Sequence, residues 1–258
     1  MIANEIVTDH FKNVAQYYGE FRPKYPQRLF ELITEATSEH QHAWDCATGS
    51  GQAAVALAGF FERVTATDAS AAQLEQSEPH WKVAYRVAPA EASGLASRSV
   101  DAITVAQALH WFPLDAFFQE CERVLKPGGI LAIWTYSLLM SQKNSINQII
   151  QHYYRNIVGQ YWPPQRALVD DCYRSIQLPF KELNLAELRA TPLAIQENWT
   201  LAHLKGYLRS WSASGYLQQA QYQDPLESIR EELDTAWGEA SQEKTITWPL
   251  TLRITKKP

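Results

Sequence analysis

One short run of this 258-residue chain has residue types and spacing suited to holding a nucleotide-like ligand: Ala43-Trp44-Asp45-Cys46-Ala47-Thr48-Gly49-Ser50-Gly51-Gln52. Glycine carries no Cβ, so Gly49 and Gly51 let the backbone turn tightly and approach a ligand closely. The alanine-rich stretch that follows reads as a helix, whose first amides are donors without intrahelical partners. Nineteen positions after Gly49 stands Asp68, at the end of a second apolar run. An acid placed there can accept hydrogen bonds from both ribose hydroxyls of an adenosine. A lone glycine-bearing turn is also an ordinary strand-to-helix connection; the flanking strands and Asp68 are what set this one apart.

Two adenosine ligands compete for the turn. A dinucleotide fingerprint can be laid on Gly49, Gly51 and Ala54. Asp45-x-Ala47-x-Gly49-x-Gly51 instead resembles the D/E-x-G-x-G-x-G motif of class I S-adenosylmethionine (SAM)-dependent methyltransferases, with Ala47 at the first glycine. That resemblance implies SAM as the cofactor, Asp45 facing its positively charged methionine end, and Gln52 and Ala69 beside the glycine turn and Asp68. Residues 87–112 look like the third and fourth strands of this family with their loops. Ala90 and Glu91 match its adenine-facing loop, and Gln107 falls where the fourth strand opens onto the methyl group. VLKPGGILAIW (124–134) matches the helix end and fifth strand. More narrowly, FRPKYP (21–26), ALHWF (108–112) and LRSWSASG (208–215) resemble the trans-aconitate methyltransferase-like branch of the type 11 methyltransferases. By the same resemblance Tyr18 and Arg22 close over the methionine portion. Arg22 is an always-charged donor fork suited to a carboxylate, or else a surface arginine beside a proline turn. Tyr18 sits on an apolar helix face, so packing is its first reading. Ala47 and Pro89 depart from the family pattern, one at a glycine position and one removing an amide donor from the adenine loop.

Methyl transfer from a sulfonium needs the acceptor in line with the S–CH3 bond, and positioning and exclusion of water supply much of the acceleration. A carboxylate acceptor is already ionised at neutral pH, whereas a hydroxyl usually needs a base. His110 is the histidine that the sequence puts near the mouth of the site, as a base, a substrate contact or a ring that pins its loop. Trp111 reads as pocket wall or loop packing. Arg155, Arg166 and Arg209 are candidates to grip an anionic substrate, though each singly also reads as a solvated arginine. Trp211 shares a helix face with Leu204 and Leu208, which favours packing over substrate stacking. His40 and His42 have no acid or cysteine at ligand spacing, so no metal is expected.

The elements that must position these residues follow from periodicity. Phe11, Val14, Ala15 and Tyr18 make one helical face, which Pro23 and Pro26 interrupt. A helix then runs from Gln27 to about Thr37. Strands are expected near 42–46, 63–67, 82–87, 100–106 and 130–136, and helices near 52–58, 70–77 and 114–125, the last stopped by Pro127-Gly128-Gly129. Alternation of this kind implies a parallel sheet covered on both faces. Later, Ile146 to Ile157 make a helix closed by Pro163-Pro164, and a further helix starts at Thr200. Another starts at Asp224, with Glu227 completing a capping box and Gly238 as its stop. Ile246, Trp248, Leu250, Leu252 and Ile254 alternate strictly, which with Pro249 reads as an antiparallel edge strand.

The expected fold is α/β, and the resemblance implies a Rossmann-like, doubly wound, mostly parallel seven-stranded sheet with its last strand antiparallel, plus a helical cover. A single domain is expected, with an N-terminal helical lid (1–41), a SAM-binding core (42–137), a helical substrate cover (138–245) and a closing edge strand (246–258). Composition fits a soluble globular chain, 46% apolar and 20% charged. No apolar run approaches the roughly 18 residues of a membrane span, and the first residues lack a signal-peptide core. Three well-separated cysteines suit a reducing cytoplasm. The net charge of −5 argues against a nucleic-acid binder. Residues 1–137 carry 10 basic against 16 acidic residues, and five of nine tryptophans follow residue 150, which assigns the second half to the substrate. The function expected is SAM-dependent methylation of a small molecule, most simply on the oxygen of a carboxylic acid. The alternatives are a SAM-binding protein without transferase activity and a nucleotide-cofactor oxidoreductase.

Overall fold

The computed structural model describes residues 21–185, 192–221 and 223–258. Among them nine strands run in chain order: β1 His42–Cys46, β2 Arg63–Asp68, β3 Val83–Val87, β4 Val100–Ala106, β5 Leu125–Tyr136, β6 Met140–Ser141, β7 Lys181–Glu182, β8 Ala194–Trp199 and β9 Lys244–Lys256. The described residues divide into two compact units. The larger holds Tyr25–Ser137, Ala167–Leu193 and Leu250–Pro258; the smaller holds 21–24, Leu138–Arg166 and Ala194–Pro249. Ala167–Leu193 belongs to the larger unit, and β9 contributes residues to both.

In the larger unit the strand order is β3-β2-β1-β4-β5-β9. β1 to β5 are parallel, β9 runs antiparallel to β5, and the two-residue β7 pairs antiparallel with the end of β9. These seven strands are the mostly parallel sheet with an antiparallel last strand. β1 and the first six residues of β4 are wholly buried, the signature of parallel strands covered on both faces. Phe117, Glu120, Cys121 and Val124 form the buried face of the helix Leu114–Val124, at helical spacing. The core on that side joins them to Trp44, Val105, Leu131, Ile133 and Tyr173. Register sets the site: Cys46 lies opposite both Thr67 and Val105, and Ala106 opposite Trp134. The loops carrying Gly49, Asp68 and Gln107 therefore leave the same carboxyl edge of the sheet, where open α/β sheets bind ligands.

In the smaller unit β8 pairs antiparallel along the first half of β9, and β6 pairs with β9 at Ile246 and Thr247. The helices Asn144–His152, Leu201–Arg209, Ser212–Gln221 and Arg230–Trp237 accompany them. Thr200 caps the second of these, its hydroxyl accepting from the His203 amide at 3.4 Å.

Several local expectations need correction. Pro127-Gly128-Gly129 does not separate helix from strand. The helix ends at Val124 and β5 begins at once, with the glycines in an irregular stretch where pairing shifts between Val100↔Leu125 and Ala102↔Ile130. Crowding explains the glycine: a Cβ on Gly129 would lie 3.1 Å from the Asp101 carbonyl. The helix expected from Asp224 begins only at Arg230. Glu227 pairs with Arg230 instead of folding back, and Asp224 is engaged by Arg209. Gly238, at φ 85°, does end that helix. The helix through 157 relaxes into a π-turn over Tyr153–Ile157, which buries Tyr153 and Tyr154 together. The 70–77 helix is reduced to Ala71–Leu74. Finally, β9 is not an edge strand, since it has neighbours on both sides. Pro249 is tolerated because the Leu250 amide donates to Leu193, so alternation turns the proline ring to the other side. There the ladder to β5 has ended at Leu250 and the pairing with Met140 begins only at Thr247.

Candidate active site

The turn after β1 is built from left-handed residues at alternate positions: Ala47 at φ 54°, Gly49 at 57° and Gly51 at 85°. Glycine is required at Gly51, because a Cβ there would lie 2.9 Å from Cε1 of Tyr85. The Tyr85 hydroxyl donates to the Glu78 carbonyl, which holds the ring over the turn. Asp68 fastens the turn from the next strand: its Oδ2 accepts from the Gly49 amide at 2.9 Å and its Oδ1 from the Ser70 amide at 2.8 Å. A carboxylate has about four acceptor positions. Two remain for a diol, so these residues fit an adenosine ligand. Burial raises the Asp68 pKa against the pull of those amides.

Asp45 lies beneath this turn, with no exposed surface. Its Oδ2 accepts from the Thr48 hydroxyl at 2.5 Å and its Oδ1 from Thr104 at 2.7 Å. Burial pushes its carboxyl up to about 6, although both hydroxyls oppose the shift. Asp45 thus braces the turn from beneath, through Thr48 and Thr104. Ala69 is exposed, while Ala90 and Glu91 are half-buried in the loop after β3. That loop is tied down by Glu120, whose Oε1 accepts from both the amide and the hydroxyl of Ser93, at 2.9 and 2.5 Å. Burial opposes ionisation of Glu120, but Arg123 and Ser93 hold its carboxyl below the usual range. Gln52 accepts from the Tyr25 amide at 3.2 Å. Gln107, left-handed at φ 49°, turns its Oε1 to Thr135 and the Tyr136 amide, so that oxygen clamps β5. Tyr18 lies outside the described residues.

Beyond β4, the turn Leu109–Trp111 carries His110 half-buried. Its Nδ1 lies 2.8 Å from the Tyr173 hydroxyl, and the rings are stacked at 27°. Trp111 packs against the same imidazole. Tyr173 was not legible as a site residue: it belongs to a segment without periodic signal.

The smaller unit carries a separate constellation. Arg166 lies over the Trp162 ring at 4.6 Å and donates from Nε to the Tyr154 hydroxyl at 2.8 Å. Trp211 contacts Tyr153, Tyr154, Trp162 and Tyr207. Arg22 lies over the Tyr207 ring and donates to the Ser210 carbonyl at 3.3 Å. Arg166 and Arg22 thus edge one aromatic cluster. Arg155 is exposed, and Arg209 is bound to Asp224 at 2.5 Å. Among the described residues, no group of three or more potential ligands could hold a metal. No helix among them is long and apolar enough to cross a membrane.

A parallel sheet with a left-handed turn after β1, an acid ending β2 and an antiparallel last strand defines a class I SAM-dependent methyltransferase. Comparison with known proteins gives the same class. A methyltransferase-domain family profile matches residues 44–133. A Dictyostelium discoideum protein named as a methyltransferase is 35% identical over 255 residues, 96% of this chain and 95% of its own length. A solved structure from Anaeromyxobacter dehalogenans, described as a type II methyltransferase, superposes with a TM-score of 0.83 at 40% identity, covering 92% of this chain and 98% of that one. A Saccharomyces cerevisiae protein named as an S-adenosylmethionine-dependent methyltransferase is 30% identical over 129 residues, 46% of this chain and 44% of its own. The chain belongs to the methyltransferase family and takes SAM as its methyl donor.

Proposed function

We propose that this methyltransferase esterifies the carboxylate of a small organic acid. The observation that carries the reading is the Arg166 guanidinium, held over the Trp162 ring and bonded to the Tyr154 hydroxyl. A guanidinium fixed in this way is a preorganised fork for a carboxylate, and the surrounding rings supply apolar surface for a carbon skeleton. Arg22 provides a second cation at the same aromatic cluster. Its alternative task is the methionine carboxylate of SAM.

On this reading Asp68 receives the ribose diol, while the backbone of Ala47, Gly49 and Gly51 with Gln52 and Ala69 lines the turn. Ala90 and Glu91 flank the adenine, and Asp45 supports the sulfonium electrostatically from beneath. Gln107 fixes the end of β5. SAM, when bound, supplies a methyl group on a sulfonium that is open to in-line displacement. The protein's task is then to orient the acceptor oxygen and keep water away. We place the enzyme in the cytoplasm; its three free cysteines accord with a reducing compartment.

Turnover of SAM against a panel of mono-, di- and tricarboxylic acids, phenols and amines tests the proposal. Methyl esters of one or more acids are expected, with di- or tricarboxylates preferred. Turnover confined to phenols or amines would sink it.

A further inference from the structure

Residues 88–99 join β3 to β4 without a helix or strand of their own, and they lie wholly within the larger unit. We infer that Glu120, on the helix Leu114–Val124, is a positioning residue for SAM: by holding Ser93 it fixes this loop where the adenine is received. The inference rests on the adenosine placement given above and deepens it.

The course of the base follows from Asp68. On one side its carboxylate accepts from the Gly49 amide. On the other it stands in register with Val87, and its carbonyl accepts from the Ala88 amide at 3.0 Å. With the ribose diol at Asp68 and the methionine end over the turn above Asp45, the base extends toward β3 and the loop that leaves it. A loop that had to be ordered by the ligand would cost affinity, so its course must be fixed beforehand. Its own chain supplies little restraint. Pro89 has no amide hydrogen, and the Ala92 amide closes a single turn onto the Pro89 carbonyl at 3.2 Å. Gly94 follows, left-handed at φ 70° with open space around its Cβ position.

Glu120 supplies the restraint. Its Oε1 accepts from the Ser93 amide and hydroxyl, and that hydroxyl in turn accepts from the Leu95 amide at 3.1 Å. One buried carboxylate thereby fixes residues 93 to 95. Arg123, one turn further along the helix, donates from Nε to Oε2 and from Nη2 to Oε1, both at 2.7 Å, while Nη1 reaches the Ser97 hydroxyl at 3.3 Å. The Arg98 and Ser99 amides donate to the Arg123 and Val124 carbonyls at 2.9 and 2.8 Å, so the rest of the loop lies along the last turn of the helix. Leu95 is buried in the same core as Val100 and Cys121. Residues 88–92 are therefore suspended between two fixed points, Asp68 and Ser93. A carboxylate suits the task because one oxygen accepts several donors, and bonds to a charged acceptor are stronger than neutral ones.

Calorimetric binding of S-adenosylhomocysteine reads the clamp without any acceptor. Glu120→Ala should weaken binding roughly 10- to 100-fold, the value of hydrogen bonds to a charged group. Glu120→Gln, which keeps one oxygen for Ser93, should recover part of the loss. Ser93→Ala should weaken binding several-fold, and it carries the test if Glu120→Ala fails to fold. Hydrogen exchange should quicken at the amides of 88–95 and stay unchanged in β1 and β4, whereas general loosening of the core would quicken all three. With any acceptor that the wild type methylates, KM for SAM should rise while kcat at saturating SAM holds. Ala90→Trp, which puts bulk on the loop itself, separates the two readings and should also cut affinity at least about tenfold. Lost binding in Ala90→Trp beside wild-type affinity in Glu120→Ala and Ser93→Ala would overturn the inference. Undiminished binding in Ala90→Trp would instead defeat the adenine placement on which it rests, while the exchange rates still report on the clamp.

Discussion

Asp45 on β1 and Thr104 on β4 stand opposite each other in register and share a 2.7 Å hydrogen bond, sealed from solvent beneath the glycine turn. With Thr48 on the other oxygen, Asp45 is a buried acid whose two hydroxyl partners do not fully repay its desolvation. Its folded pKa, pushed up to about 6, lies above the usual value for an unfolded aspartate. The folded state therefore binds the proton more tightly than the unfolded state. Asp45 adds stability fully below the unfolded pKa of about 4, and that contribution is lost as pH rises through 6, on the order of 3 kcal/mol in all. Denaturant titrations of the ligand-free protein between pH 4 and 7 should show this decline, and Asp45→Asn should flatten it. The opposite slope in that window, unchanged by Asp45→Asn, would contradict the assignment.

The same acid should couple SAM binding to pH. An ionised Asp45 stabilises a sulfonium but gains nothing from the neutral sulfur of S-adenosylhomocysteine. Calorimetry should show SAM affinity rising from pH 5 to 7 relative to that of S-adenosylhomocysteine, with the difference removed in Asp45→Asn. Parallel curves for the two ligands would place Asp45 out of reach of the sulfur.

Ala47 bears a conformation that glycine adopts without steric cost. Left-handed backbone costs an alanine about 1–2 kcal/mol, and glycine returns part of this as unfolded-state entropy. Ala47→Gly should stabilise the protein by about 0.5–1 kcal/mol. Gly51→Ala should do the reverse more strongly, since the new Cβ meets Tyr85 as well as the left-handed penalty. Thermal denaturation of the two variants reads both signs.

Much of this was legible in the sequence, for identifiable reasons. The five parallel strands are short apolar runs separated by breakers, so periodicity found them; Asp68 and the glycine turn carry their chemistry in residue type. Contacts made by a chain returning from far away were not legible. Thr104 reads as one polar residue in a buried strand until register puts it against Asp45. Glu120 sits on an otherwise apolar helix face, and that misfit was the available signal for its grip on Ser93. Tyr173 carried no signal, because nothing local announces consecutive left-handed residues. Among the arginines, Arg209 and Arg166 looked alike in sequence, and only the placement of Asp224 and Trp162 separated them.

That separation gives a paired test. Arg166→Ala should raise KM for an acid acceptor roughly 10- to 100-fold, and Arg166→Lys should recover little, because a point charge replaces a fork. Arg209→Ala, which removes only a partly exposed pairing with Asp224, should leave KM within about twofold. Steady-state kinetics on one acid decides it, and equal effects from both arginines would dissolve the distinction.

The central claim is that the methyl group goes to a carboxylate oxygen. Transfer from SAM carrying a carbon-13 methyl, followed by mass spectrometry before and after mild alkali, locates the new bond directly. A methyl ester is expected, with the label on the acid before alkali and released as methanol after it. Label that survives alkali on oxygen, nitrogen or carbon would contradict the claim.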